Sequence, residues 1–181
     1  IAAAAGALVV PNQDRTISAV RNAGVAASTG EVVVTIDADN VMHPGALREV
    51  DRLLASGTCV GGGCDFLPER RSLGLATSCA LVRTGVRVLG IGGVMFWCRR
   101  TDFDAIGGFD ESLTVAEDLE FARRLRRHGR ETGRRFRNLR GVPVVVCCRK
   151  FDHFGDWHIF KLTGRLPEVM ASIKGTDTRF A

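Results

Sequence analysis

Residues 32–40 read VVVTIDADN, and no other stretch restricts the possible folds as much. A β-branched run without polar alternation has no face to turn toward water, so it belongs in a sheet covered on both sides. The run then ends in two aspartates one residue apart. In an extended strand, residues two apart point the same way, so Asp37 and Asp39 are expected to present their carboxylates side by side. At ~4 Å and an effective dielectric of about 20, two such charges repel by about 4 kcal/mol. A divalent cation relieves that repulsion, and Mg²⁺ commonly takes one or two carboxylates together with phosphate oxygens. The end of a buried strand is also where open α/β sheets place their ligands.

The rest of the chain supplies the cover that such a strand needs. ALVV at 7–10 reads as a strand and residues 16–28 as a helix closing near Gly30. The stretch PGALREVDRLLASG puts Pro44 at a first helical position, Leu47, Val50 and Leu54 at helical spacing, and Gly57 as a stop. TCVGGGCDF reads as a strand interrupted by glycines, followed by a helix from Ser72 to Arg87. GGVMFWCRR is a further strand, TDFDAIGGFDE a short helix and turn, and TVAEDLEFARRLRRHG a helix stopping at Gly129. GVPVVVC is expected to close the sheet, with the last thirty residues mostly helical. Strands alternating with helices predict an α/β fold with helices on both faces of a mixed sheet, in one domain over 1–181.

The aspartate spacing by itself is weak, because Asp102 and Asp104 repeat it. That second pair follows its strand by several residues in a short polar-faced helix and reads as surface. An EF-hand loop is excluded, since Val41 occupies the third ligand position. The helix after residue 114 carries a stronger signal. Thr114 and Glu117 fit a capping box. Asp118, at 100° per residue, falls on the arc of Phe121, Ala122 and Leu125, while Arg123, Arg124, Arg126 and Arg127 lie elsewhere. An inward carboxylate in a first turn is explained equally by the free N–H groups there and by a base held at the floor of a cleft.

Charge is local. Residues 117–140 hold nine arginines against four acids, which is the whole of the net charge of +5. That segment points to an anionic partner or a solvated helix and not to a generally cationic, nucleic-acid-binding chain. Six cysteines show no C-x-x-C and no zinc spacing, and they read as reduced thiols packed as small hydrophobes in a cytoplasmic protein. No apolar run approaches the ~18 residues of a membrane span, and the Ala-rich start lacks the flanks of a signal peptide.

Three stretches, VRNAGVAASTGEVVVTIDADNVMHPGAL, GGVMFWCRRTDFDAIGGFDESL and AEDLEFARRLRRHG, together resemble the family 2 glycosyltransferases of the GT-A fold, in order and separation. The resemblance implies a nucleotide-sugar donor, a Mg²⁺ or Mn²⁺ ion, and transfer with inversion at the anomeric carbon. It implies that Asp37 lies near the donor ribose or the metal, that Asp39 holds the metal, and that Asp118 deprotonates the acceptor hydroxyl. Gly92 and Gly93 match a place where the family's backbone approaches the sugar or acceptor. Arg15 and Arg21 both lie where the nucleotide can be contacted, and Arg21 joins the candidate set. Late in the chain, CRKFDHFGDWHIF offers His153 or His158 as a third metal ligand and Arg149 for the diphosphate.

The resemblance also implies that the chain starts after the family's first strand, helix and strand, so the fold is expected to be N-terminally incomplete. The strands at 7–10 and 32–37 would then lack neighbours, and either a second copy of the chain covering the sheet edge or a pocket open on the nucleotide side would compensate. A glycan or lipid-linked acceptor is implied, and a polyprenyl-phosphate one would suit the arginines and place the protein at the inner face of a membrane. Two other readings stay open: a nucleotidyltransferase on a similar sheet, for which Asp118 has no obvious use, and a non-catalytic module binding anions or lipid headgroups.

Overall fold

The computed structural model describes residues 1–157 apart from 14–15, 90–92 and 115. Its elements follow in the order α1 (Ile17–Ala26), β1 (Val32–Ile36), α2 (Ala46–Ala55), β2 (Cys59–Gly62), β3 (Cys64–Pro68), α3 (Leu73–Leu89), β4 (Met95–Arg99), α4 (Arg100–Ala105), α5 (Glu117–Glu131), β5 (Arg135–Phe136), β6 (Leu139–Val146) and α6 (Arg149–Phe154). A four-stranded mixed sheet has the order β1-β4-β2-β5. Strand β4 runs antiparallel to both β1 and β2, and β5 lies parallel to β2. This mixed α/β architecture is of the GT-A-like kind that the sequence predicts.

Strand β4 is the centre of the molecule. Its successive residues Met95, Phe96, Trp97 and Cys98 are all buried, none more than 2 % exposed. Because strand side chains alternate, Phe96 and Cys98 enter one core with Val33, Val60, Phe103, Phe121 and Leu125, whereas Met95 and Trp97 enter another with Ala46, Val50, Leu54, Leu139 and Val144. Helices α4 and α5 therefore cover one face and α2 the other. The Trp97 indole N–H donates to the Gly63 carbonyl at 3.0 Å, which satisfies the one polar atom of that side chain.

Four expectations need correction. Residues 7–10 form no strand: no strand among the described residues pairs with them, and Leu8 and Val9 are exposed. GVPVVVC does not close the main sheet, because β6 pairs in parallel with β3 in a separate two-stranded sheet. The glycine interruption in TCVGGGCDF is the reason: Gly61 has φ +152°, and the chain leaves the first sheet between β2 and β3. Asp102 is not at the surface but 3 % exposed. Its carboxylate accepts from Arg134 at 2.6 and 2.7 Å and lies 3.0 Å from His128 Nε2, tying α4 to the far end of α5. Finally, no capping box forms. The N-cap of α5 is Ala116, in the left-handed region at φ 63° with no side-chain cap bond. A non-glycine residue there costs about 1–2 kcal/mol, and the turn it forms leads directly into Glu117 and Asp118.

The six cysteines are all free and five are buried. Burial pushes the Cys64 thiol up to about 11 and that of Cys98 to about 12, so both are inert at neutral pH. Among the described residues no helix is long and apolar enough to cross a membrane, and β1 lies at the edge of the main sheet.

Candidate active site

The site is built where α1, the end of β1 and the start of α5 meet. Thr16 caps α1, its hydroxyl accepting from Ala19 N–H at 3.3 Å. Two neighbouring residues of that helix then do different work. Arg21 reaches the acidic groups: one guanidinium nitrogen donates to Asp37 Oδ1 at 2.8 Å, and the other donates to Asp118 Oδ1 and lies 3.5 Å from Glu117 Oε1. The Arg21 side chain is 13 % exposed, so this is a desolvated contact and not a surface pair. Its charged plane sits 5.1 Å over the Phe109 ring, which stacks on Phe121 at 4.1 Å between centroids. That stack runs from α1 through to α5 and fixes the spacing between them.

Asn22, the next residue, holds the loop that supplies Phe109. Its side-chain amide accepts from Phe109 N–H at 2.9 Å and donates to Phe109 C=O at 2.9 Å and to Glu111 at 2.8 Å. Gly108, at φ +67°, is required beside it, since a Cβ would lie 2.7 Å from Asn22 Oδ1 and 3.0 Å from the Phe103 ring. Asn22 and Phe109 were not among the residues picked out from the sequence, and Glu117 was read there only as part of a helix cap.

Strand β1 stops at Ile36, and Asp37–Asn40 is a turn closed by Asn40 N–H to Asp37 C=O at 3.1 Å. The two carboxylates therefore do not line one strand face, as expected from spacing, but take different partners. Asp37 turns to Arg21, and Asp39 Oδ2 accepts from Arg149 at 2.7 Å. The turn is pinned to the end of β6 by paired bonds of 2.8 and 2.9 Å between Val41 and Val145. That pairing places α6, and with it Arg149, beside Asp39. The Asp37 and Asp39 side chains are 49 % and 44 % exposed and that of Arg149 is 76 % exposed, so the Asp39–Arg149 pair is worth about 1 kcal/mol or less. A more highly charged ligand can displace it.

Asp118 differs from both. Burial, opposed by the Arg21 charge and aided by Glu117, pushes its carboxyl up to about 6. The inward arc expected for it is present, with Phe121, Ala122 and Leu125 of the same helix all buried. Asp37 and Asp118 thus meet on one arginine although 81 positions separate them in sequence.

The remaining candidates are more dispersed. Gly93 precedes β4 with no atom within 4 Å of the position a Cβ would take. Gly92, Arg15 and His158 lie outside the described residues. His153 is exposed on α6 with its ring edge-on to Phe154 at 4.6 Å. Among the described residues no three of His, Cys, Asp and Glu converge on one point. Asp37 and Asp39 are half-exposed carboxylates, the oxygen ligand type that Mg²⁺ or Mn²⁺ takes alongside water and phosphate.

A family model described as "Glycosyltransferase like family 2" matches residues 2–133, which takes in α1 through α5 and every carboxylate of this site. The chain belongs to that family, and it is a glycosyltransferase in that general sense. Family members use nucleotide-sugar donors and generally depend on a divalent cation. A comparison with curated proteins gives no match.

Proposed function

We propose that the protein transfers a sugar from a nucleotide-sugar donor to an acceptor hydroxyl or phosphate with inversion, Asp118 acting as the base. The observation that carries the reading is the shared Arg21 guanidinium, which joins the carboxylate at the end of β1 to the buried carboxylate at the start of α5. Donor and acceptor chemistry must flank a single sugar, and this contact brings the two groups to one site.

The step assigned to Asp118 is proton removal. As the acceptor oxygen bonds to the anomeric carbon, its proton passes to the Asp118 carboxylate, and the bond from that carbon to the diphosphate oxygen breaks with its electron pair on the leaving group. A base held near 6 is ionised at neutral pH yet stronger than an ordinary carboxylate. Asp37 and Asp39 would hold the cation, which would supply positive charge to the leaving diphosphate, and Arg149, now paired with Asp39, would pair with that diphosphate on leaving Asp39. Arg21 keeps Asp118 ionised and oriented.

Two expected results test the assignment. Asp39→Asn should lower transfer at least tenfold and raise the Mg²⁺ or Mn²⁺ concentration needed for half-maximal rate, because one anionic ligand is lost. Full transfer in excess EDTA would remove the cation from the mechanism. Arg21→Ala should move the acid limb of the pH–rate profile upward from about pH 6, because the lost cation had favoured the ionised carboxylate. An unmoved limb would show that Arg21 does not act through Asp118. Donor identity is best approached with a panel of UDP- and GDP-sugars, reading release of the nucleoside diphosphate.

A further inference from the structure

The arginine excess of residues 117–140 is not absorbed by the acidic site, and the structure divides it. Arg134 is bound to Asp102, and Arg124 holds Glu120. Arg135, Arg137 and Arg140 are exposed and make no ion pair among the described residues. They are mounted rigidly. Arg135 N–H donates to Thr58 C=O and Arg137 N–H to Gly61 C=O, both at 2.9 Å. Phe136 between them packs into the core, which turns both flanking side chains outward together.

These arginines border two neighbouring cavities, of about 600 and 540 Å³, that share Asn138 and Arg140 as a common wall. Two other arginines reach the same space already neutralised, Arg52 by Glu49 at 2.6 Å and Arg83 by Asp65 at 2.5 Å. The wall also carries unspent hydrogen-bonding capacity. Arg83 Nε and Asn138 Oδ1 are buried with no hydrogen-bond partner among the described residues. Turning the Asn138 amide over would convert its unpaired acceptor into a second donor. Three uncompensated cations around a hollow with two unsatisfied polar atoms in its wall are what an oxyanion with several acceptors would satisfy.

We propose that this groove is a second anion site that takes a phosphate-bearing ligand of two or more negative charges. It is separate from the acidic site. None of Arg21, Asp37, Asp39, Asp118 and Arg149 lines either cavity. Its ligand is recognised by phosphate oxygens, whether in a soluble diphosphate or in a lipid headgroup.

The test uses the full chain in EDTA, which removes cation-dependent binding at the acidic site. Pyrophosphate is titrated by calorimetry, and vesicles of phosphatidylcholine with and without phosphatidic acid are tested by flotation. Arg137→Ala combined with Arg140→Ala is compared with Arg127→Ala combined with Arg130→Ala, exposed residues of α5 whose loss changes the net charge equally. The groove variant should weaken pyrophosphate binding about tenfold or more while the α5 variant stays within about twofold, as a located site and not diffuse charge requires. Loss of phosphatidic-acid-dependent flotation in the groove variant alone, without pyrophosphate binding, assigns the same site to a lipid phosphate. Equal loss in both variants, or binding of neither probe by the parent chain, overturns the proposal. Neither outcome touches the transfer reading, which is judged on Asp118 and Asp39.

Discussion

Replacing Asp118 by asparagine is expected to lower sugar transfer by about 10²–10⁴-fold, the usual contribution of a positioned general base, while donor binding stays within a small factor of the parent. The geometry is the reason. Asparagine preserves the shape of the side chain at the start of α5 but cannot accept a proton, and Asp118 does not belong to the turn that would hold the donor. The loss should fall on kcat and not on the affinity for donor, because the base acts as the acceptor bond forms. The parent profile should show an acid limb near pH 6, below which the carboxyl is protonated, and Asp118→Asn should lack it. Single-turnover transfer and calorimetric titration of donor separate the two quantities. Equal loss of binding and rate would return Asp118 to the role of a helix-terminal carboxylate.

The second large effect is on stability and lies far from the site. Asp102→Ala is expected to cost about 3 kcal/mol, within the range seen when one partner of a buried ion pair is removed. Asp102 is 3 % exposed and takes both Arg134 contacts and the His128 contact. Its removal strands the Arg134 guanidinium, whose side chain is 22 % exposed, and leaves the ring of His128 without an acceptor. Urea unfolding reads the change, and Arg134→Ala in the same background tests the pairing, since the two losses should be far from additive. A cost below about 1 kcal/mol would place this network among ordinary surface pairs.

The contrast between Asp118 and Asp102 shows what the sequence could and could not carry. Asp118 was legible because its helix is long and periodic, so its neighbours Phe121, Ala122 and Leu125 announced which face turns inward. Asp102 was not, because its burial depends on Arg134, 32 residues later, folding back along α5. The same limit applies to strands. VMFWC reads plainly as a strand, whereas ALVV at 7–10 has strand composition but no strand among the described residues to pair with. Spacing placed Asp37 and Asp39 at the end of β1 correctly but misjudged their directions, since a turn replaces the extended backbone after Ile36. The reach of Arg21 across to both Asp37 and Asp118 is a fact of tertiary distance, and no periodicity in α1 could have disclosed it.

Strand β4 sets a strict tolerance on the chain around it. Four consecutive side chains are shared alternately between two cores, so deleting one residue between Met95 and Arg99 would exchange the occupants of both at once. Phe96 and Cys98 would meet the pocket shaped for Trp97, and the indole would face α5. No local adjustment repairs a swap of that volume. The positions flanking this strand inherit the same constraint, because Met95 stands opposite Ile36, next to Asp37, and Arg99 opposite Val32. The strand therefore works as a ruler, because the distance from the β4 entry to Asp37 is held fixed by the two cores it divides.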